Sequence, residues 1–263
     1  MKVRVIPKTN ILGVGLSVTN MEMTLNMIEE WIRREEGQYI CVTGVHGVME
    51  SYRSAEIKQT HNAAGLVVPD GMPLVWLSRL RGYSHVSRVY GPDLMLAMCE
   101  RSARHGYRNV FYGGGPGVGE LLADRLLTRF PGLNTVGTYS PPFRPVTAEE
   151  DAGYSAAIRR ARPHIVWVGI STPKQESWMA EHVERLRPAV LIGVGAAFDF
   201  HAGLKAQAPK WMRRTGLEWL FRLIQEPARL GPRYLKNNPH FLGLMLLQLC
   251  RVRPEINRMG SSR

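Results

Sequence analysis

The sequence predicts an α/β fold: a mostly parallel sheet with helices on both faces, followed by a small helical appendage at the C-terminal end. Three observations predict it. Short apolar runs alternate with stretches of helical periodicity between residues 11 and 194, the pattern of strands buried on both faces and joined by crossover helices. Several of these runs stop at turns rich in glycine or aspartate that open into a helix, as at Asp70-Gly71 and Gly113-Gly114-Gly115. Beyond about His201 the strand-like runs cease, while tryptophan, arginine and proline accumulate. The expected division is an α/β domain over 1–200 and a basic, aromatic-rich helical appendage over 201–263.

Taken in order, residues 11–16 and 38–42 read as strands. The helix between them, 23–34, has Thr24 or Asn20 as its cap. A short strand over 66–68 ends at Pro69-Asp70-Gly71, and 93–104 reads as a helix. The strand 110–112 runs into the glycine turn 113–117 and a helix over about 118–130. A weak strand over 135–138 precedes a helix over 148–161, where Thr147 and Glu150 have the spacing of a capping box. A strand over 165–169, a helix over 173–185 and a strand over 189–194 complete the domain. No internal repeat runs through it.

The chain of 263 residues is long enough for one large core, or for one core with an appendage. Its net charge of +12 is concentrated at one end: from His201 onward twelve lysines and arginines face only three acids, Glu218, Glu226 and Glu255. A region so basic suits lipid headgroups, a diphosphate or a nucleic acid, or else is simply a solvated basic face. Cys41, Cys99 and Cys250 have neither metal nor redox spacing, which fits a reducing, cytoplasmic compartment. The basic stretch 1–10 is not followed by the apolar run of a signal peptide. No apolar run approaches the ~20 residues needed to span a bilayer. The run 241–250 (FLGLMLLQLC) is long enough to lie on a membrane or against a second subunit, not to cross.

Four places have residues that suit chemistry on a phosphorylated ligand. The turn 113–117 lies between strand and helix, where glycines let a phosphate approach the backbone and the helix start offers N–H donors. It lacks the Gly-Lys-Ser/Thr of a P-loop, and a plain tight turn fits as well. Asp70 stands at the end of a strand, where it is either a general base toward a sugar hydroxyl or a turn residue. Lys174 and Gln175 open a helix after Gly169 and suit phosphate or sugar hydroxyls, or are a cap with a solvated lysine. Arg222 and Arg229 are seven residues apart, which on one continuous helix places both on nearly the same face, matched to one extended anion such as a diphosphate.

The blocks Pro69-Asp70-Gly71, Arg88-Val89-Tyr90-Gly91-Pro92-Asp93-Leu94, Pro173-Lys174-Gln175-Glu176, Gly193-Val194-Gly195-Ala196-Ala197-Phe198-Asp199, Ala208-Pro209-Lys210-Trp211 and Gly216-Leu217-Glu218-Trp219, with Arg222, Glu226 and Pro227 beyond, occur in that order. Together they resemble the WecG/TagA/CpsF family of glycosyltransferases, and the resemblance covers about 11–235. The Pro-Lys-Gln-Glu and Gly-Leu-Glu-Trp blocks are its specific anchors. The chain departs from the family at Thr43-Gly44-Val45-His46, where threonine and asparagine are usual, at Gln207, where arginine is common, and at Gly231-Pro232, which thins the arginine cluster ahead of Arg233.

The resemblance implies a Rossmann-like fold and an inverting transfer of an N-acetylhexosamine-type sugar from a UDP-sugar to a sugar on a polyprenyl diphosphate. This is a step of cell-surface polysaccharide assembly at the inner face of the membrane. It implies Asp70 as base, with Thr43, His46 and Arg88 beside it. Gly113, Gly114, Gly115, Gly169, Lys174, Gln175, Glu176 and Asp199 would contact the nucleotide sugar. Arg222, Arg229 and Arg233 would hold the diphosphate. No Asp-x-Asp pair is present to anchor a metal, so no metal or other cofactor is expected. A homo-oligomer is left open. Two rivals stand beside this reading: a basic nucleic-acid-binding protein, for which no motif is present, and a non-catalytic nucleotide-sugar sensor or dehydrogenase, for which the dinucleotide fingerprint is poor.

Overall fold

The computed structural model describes residues 6–251. Residues 1–5 of the basic N-terminus, and Arg253, Glu255, Arg258 and Arg263 of the appendage, lie outside the described residues. The chain begins with β1 (Lys8–Ile11) and β2 (Val14–Ser17), then α1 (Met21–Arg34), β3 (Gln38–Thr43), α2 (Val45–Arg53), α3 (Ala55–Ala63), β4 (Leu66–Pro69) and α4 (Met72–Leu80). It continues through α5 (Gly91–His105), β5 (Arg108–Gly113), α6 (Val118–Arg129), β6 (Asn134–Tyr139), α7 (Ala148–Ala161), β7 (Ile165–Gly169), α8 (Lys174–His182) and β8 (Val190–Gly193). Four helices close it: α9 (Ala197–His201), α10 (Lys210–Thr215), α11 (Glu218–Gln225) and α12 (Pro227–Arg251).

Six strands form one sheet in the order β4-β3-β8-β7-β5-β6, every neighbour parallel. Side-chain alternation divides the core between the faces of this sheet. Ile40, Val68, Phe111, Trp167 and Ile192 pack with α1, α5, α6 and α9. Cys41, Val67, Val110, Val166, Val168 and Leu191 pack on the opposite face with residues of α2, α4, α8 and α12. The expected α/β layout is therefore present, with the sheet covered on both sides.

Helix caps follow the sequence signals. Asn20, not Thr24, caps α1 by accepting from the Met23 N–H at 3.0 Å. Thr147 and Glu150 form the expected capping box at α7. Three differences stand out. The run 11–16, read as one strand, is split between the two antiparallel strands of the β1–β2 hairpin, outside the main sheet. Its turn is Leu12-Gly13, both at positive φ (51° and 90°), as a tight hairpin turn requires, and Leu gives little sign of that. Helix α8 ends at His182 rather than at Arg185. Helices α2, α3 and α4 occupy segments to which no element was assigned.

Among the described residues the appendage has three helices, and the long one returns to the core. Phe241 and Met245, one turn apart on α12, are buried in the same cluster as Ile11 and Val14. The Gln248 side chain accepts from the Leu12 N–H at 3.1 Å and donates to the Asn10 carbonyl at 3.3 Å. Leu242, Leu246 and Leu247 face outward. The run 241–250 is therefore two-sided, with one stripe docked and one exposed. Among the described residues no helix is long and apolar enough to cross a membrane.

Candidate active site

A cleft of about 960 Å³ opens beyond the carboxyl ends of β3, β4, β5, β7 and β8, where open parallel sheets bind ligands. The strands deliver Thr43, Asp70, Gly114 and Gly169 to its floor, and the appendage closes it with Arg222, Glu226, Arg229 and Arg233.

Glycine is required at the floor because two strand ends come into contact. A Cβ on Gly113, whose φ is +137°, would lie 2.6 Å from the Gly169 backbone, and one on Gly169 would lie 2.5 Å from the Phe198 ring. The Gly114 N–H donates to the Gly169 carbonyl at 3.2 Å. These contacts bring the β5 and β7 ends together with bare backbone facing the ligand space.

Asp70 follows β4 directly. Its N–H donates to the Thr43 carbonyl at 2.9 Å, which ties the ends of β3 and β4 together. Its carboxylate accepts from the Gly91 N–H at 3.2 Å and lies 3.9 Å from Arg88 Nη2. Surrounding protein raises its pKa above the ordinary carboxylate value. Desolvation is the chief cause; Arg88 opposes it and Glu218 adds to it. A carboxylate drawn toward neutral pH in a cleft has the property that a general base needs.

Arg88 stands behind Asp70 rather than in the cleft wall. Its Nε donates to the Asp70 carbonyl, its Nη1 to the Arg213 carbonyl at 3.1 Å, and its Nη2 to Glu218 Oε2 at 2.6 Å. The guanidinium also covers the Tyr90 ring at 4.2 Å. Glu218 thus joins α11 to the Asp70 loop, a connection that the sequence reading did not assign to it.

His46 lines the cleft at the start of α2. Arg53 Nη2 donates to Asn237 Oδ1 at 2.5 Å, so the Asn237 amide nitrogen faces His46 Nδ1, 3.1 Å away, and donates to it. Burial, with the charge of Arg233, pushes the His46 pKa down to about 3, and a hydrogen bond with the Thr172 backbone works the other way. The ring is therefore neutral at physiological pH and too weakly basic to collect a proton there. Its geometry is that of a hydrogen-bonding wall residue fastened to α12.

Gly115, Lys174, Gln175 and Asp199 also line the cleft. Glu176 does not; it is buried beneath, accepting from the Thr172 hydroxyl at 2.9 Å and from Gln175 Nε2 at 3.1 Å. Gly113 acts through backbone contact alone. Of the cations, Lys205 pairs with Asp199 and Glu226 at 3.0 and 3.4 Å, and Arg229 with Glu226 at 2.5 Å. Among the described residues Arg222 and Arg233 have no carboxylate partner within salt-bridge distance. Burial and the neighbouring Arg222 and Arg229 lower the Arg233 pKa to about 10, while Tyr234 opposes the shift.

Arg222 and Arg229 do not share one helix. Glu226 precedes Pro227 and leaves the helical region (φ −133°, ψ 59°), so α11 ends and α12 begins between them. The break turns both arginines, with Arg233, into the same cleft.

Several wall residues carried no sequence signal. Tyr112 stacks on Trp178 (4.3 Å between centroids), and Trp178 on His182 (4.2 Å). Asp151 holds His182 Nε2 at 2.9 Å, and Tyr112, Trp178 and Asp151 all face the cleft. The loop Pro141-Pro142-Phe143-Arg144-Pro145 borders the cleft, with Phe143 largely exposed. Its proline density was the available clue.

The chain is also similar in sequence to known proteins. Residues 9–255 match the glycosyl transferase WecG/TagA/CpsF family model. Among curated proteins, the chain is 27% identical over 199 residues to an N-acetylglucosaminyldiphosphoundecaprenol N-acetyl-beta-D-mannosaminyltransferase of Bacillus spizizenii, covering 76% of each chain. It is 26% identical over 212 residues to the protein of the same name from Bacillus subtilis, covering 80% of this chain and 81% of that one. Its identity to the protein of that name from Staphylococcus aureus (strain MRSA252) is 26% over 238 residues, covering 89% and 91%.

Proposed function

Because the chain belongs to the WecG/TagA/CpsF family of glycosyltransferases, we propose that it moves an N-acetylhexosamine, of the N-acetylmannosamine type, from a UDP-sugar to a sugar carried on a polyprenyl diphosphate. The names of its relatives specify a diphosphoundecaprenol-linked N-acetylglucosamine as their acceptor. The single observation that supports the reading in this chain is the opposition within one cleft of Asp70, with its raised pKa, and the guanidiniums of Arg222 and Arg233, which have no carboxylate partner among the described residues.

The chemistry is one displacement with inversion. The acceptor hydroxyl oxygen bonds to the anomeric carbon of the donor, and its proton passes to Asp70. On the opposite side the bond from the anomeric carbon to the diphosphate oxygen breaks, and UDP leaves with the electron pair. Charge grows on that diphosphate in the transition state, where preorganised guanidiniums stabilise it most. Arg222, Arg229 and Arg233 take that role or hold the lipid diphosphate. Gly114, Gly115, Lys174 and Gln175 receive the nucleotide sugar. In this scheme arginine rather than a divalent metal neutralises the leaving group, so turnover should continue in chelator.

The exposed stripe of α12 and the basic appendage suit a peripheral seat on anionic lipid at the inner face of the membrane, where a polyprenyl diphosphate presents its headgroup. The test is transfer from a panel of UDP-N-acetylhexosamines to a lipid-diphosphate-linked N-acetylglucosamine, with wild type beside Asp70→Asn. Turnover with one donor, lost in the variant while UDP still binds, supports the reading. Undiminished turnover in the variant removes Asp70 as the base, and no turnover with any donor removes the proposed substrates.

A further inference from the structure

Beneath the cleft floor lies a buried polar chain that the mechanism above does not use. Thr43, Ser51 and His61 are essentially excluded from solvent, as is the glycine beside them, Gly47. His61 Nδ1 lies 3.1 Å from the Ile57 carbonyl and 3.0 Å from Ser51 Oγ. A carbonyl only accepts, so this contact favours the tautomer with its proton on Nδ1, in which Nε2 is the acceptor. Nε2 lies 3.2 Å from Thr43 Oγ1.

Thr43 has one hydroxyl proton and two acceptors for it, His61 Nε2 at 3.2 Å and the Cys41 carbonyl at 3.3 Å. Both are inside the protein. The proton therefore points inward, so a lone pair is all that the hydroxyl of Thr43, a cleft-lining residue, has left to offer a ligand. The backbone around this chain leaves room for it. A Cβ on Gly47 would lie 2.9 Å from the Thr43 methyl and 3.4 Å from His61 Nε2, so glycine occupies a helical position that it normally disfavours.

We propose that His61 is a positioning residue: it takes the Thr43 proton inward and fixes the Thr43 hydroxyl as a hydrogen-bond acceptor for a donor group, a hydroxyl or an acetamido N–H, of the bound sugar. The proposal rests on the glycosyltransferase reading of the cleft. Thr43 is also the residue whose carbonyl holds the Asp70 N–H at 2.9 Å. A fixed Thr43 thus orients the sugar relative to the base.

The experiment is a double-mutant cycle on the full chain, with steady-state kinetics and thermal unfolding for each variant. Thr43→Val and His61→Leu should each lower kcat/KM by about 10- to 100-fold, the value of one hydrogen bond to a sugar. His61→Leu combined with Thr43→Val should be no worse than Thr43→Val alone, because the histidine acts only through the hydroxyl. His61→Gln, which returns an acceptor near the Nε2 position, should recover most of the loss. Multiplicative losses in the double variant overturn the proposal, as does wild-type kcat/KM in folded His61→Leu. Should His61→Leu fail to fold, His61→Met, which keeps the bulk and lacks a ring acceptor, replaces it in the same cycle with Thr43→Val, under the same criteria. Wild type without turnover is a different result, because it removes the glycosyltransferase reading itself.

Discussion

The two sides of the cleft are made in opposite ways. The floor is parallel strand ends with side chains removed: Gly114, Gly115 and Gly169 present backbone to the cleft, packed close through Gly113, and Asp70 is set beside them. The closing wall is helical and built from side chains, with Arg222, Arg229 and Arg233 projecting from α11 and α12. The floor is held by sheet hydrogen bonds and a core on both faces. The wall is attached by polar contacts, Arg88 to Glu218 and Asn237 to Arg53 and His46, and by Phe241 and Met245 farther along α12. In the proposed reaction the difference separates the tasks: the sheet side holds the base, and the helical side supplies positive charge for the phosphates.

The strongest way to break this comparison is at Asp70. Asp70→Asn should cost about 10²- to 10⁴-fold in kcat. Its melting temperature should hold or rise at neutral pH. The folded carboxylate is held above its ordinary value, so its ionised form weakens the fold as pH rises between the unfolded and folded values, and the amide is free of that effect. A fall in stability matching the loss of rate would make Asp70 structural.

Removing charge from the wall should act on binding. Arg222→Met or Arg233→Met should raise KM by about 10- to 100-fold and change kcat less. Arg233→Met should also leave the melting temperature unchanged or higher, because burial and two neighbouring arginines already disfavour that charge. A lower kcat at unchanged KM would place Arg233 in the transition state alone.

The floor should be more sensitive to one methyl group than the wall. Gly113→Ala should lose about 1–3 kcal/mol in denaturant unfolding, because its Cβ meets backbone rather than a side chain able to turn aside. Gly231→Ala, whose Cβ would come no nearer than 3.9 Å to Leu223 on the appendage, should be tolerated.

A last effect, small at neutral pH, concerns the contact between the two sides. His46 has a folded pKa near 3, below its ordinary 6.5. The unfolded chain therefore binds a proton that the folded chain refuses. Stability contributed above pH 6.5 is lost as pH falls toward 3, with a slope of at most about 1.4 kcal/mol per pH unit. His46→Gln should flatten that limb of the stability profile, and an unchanged slope would show that other groups govern it.

The floor was readable in the sequence because its constraints are local. Asp70-Gly71 and the glycines at 113–115 follow strands that their own apolar runs announce, and Thr147 with Glu150 declares a helix start by spacing alone. The wall was half readable. Charge and the Glu226-Pro227 break marked it, but the placement of three arginines in one cleft depends on a helix boundary that periodicity extended through. What escaped is long-range: the Arg88–Glu218 pair across 130 residues, the Trp178 stack, and Asn237 against His46 across 191. No local pattern encodes those pairings, because each partner alone is an ordinary polar or aromatic residue.

The grip of Gln248 on the β1–β2 hairpin, 236 and 238 residues away in the chain, has a consequence for synthesis. The ribosome releases the hairpin long before α12, so one face of the newborn sheet must wait for Phe241 and Met245. Contacts so distant along the chain close late. We expect the nascent protein to pass through a stage in which the sheet is formed and the helical wall is not, protecting the core from pulse proteolysis before the cleft exists. Arrested chains ending near residue 200 that are wholly protease-sensitive would show that the sheet itself requires the last helix.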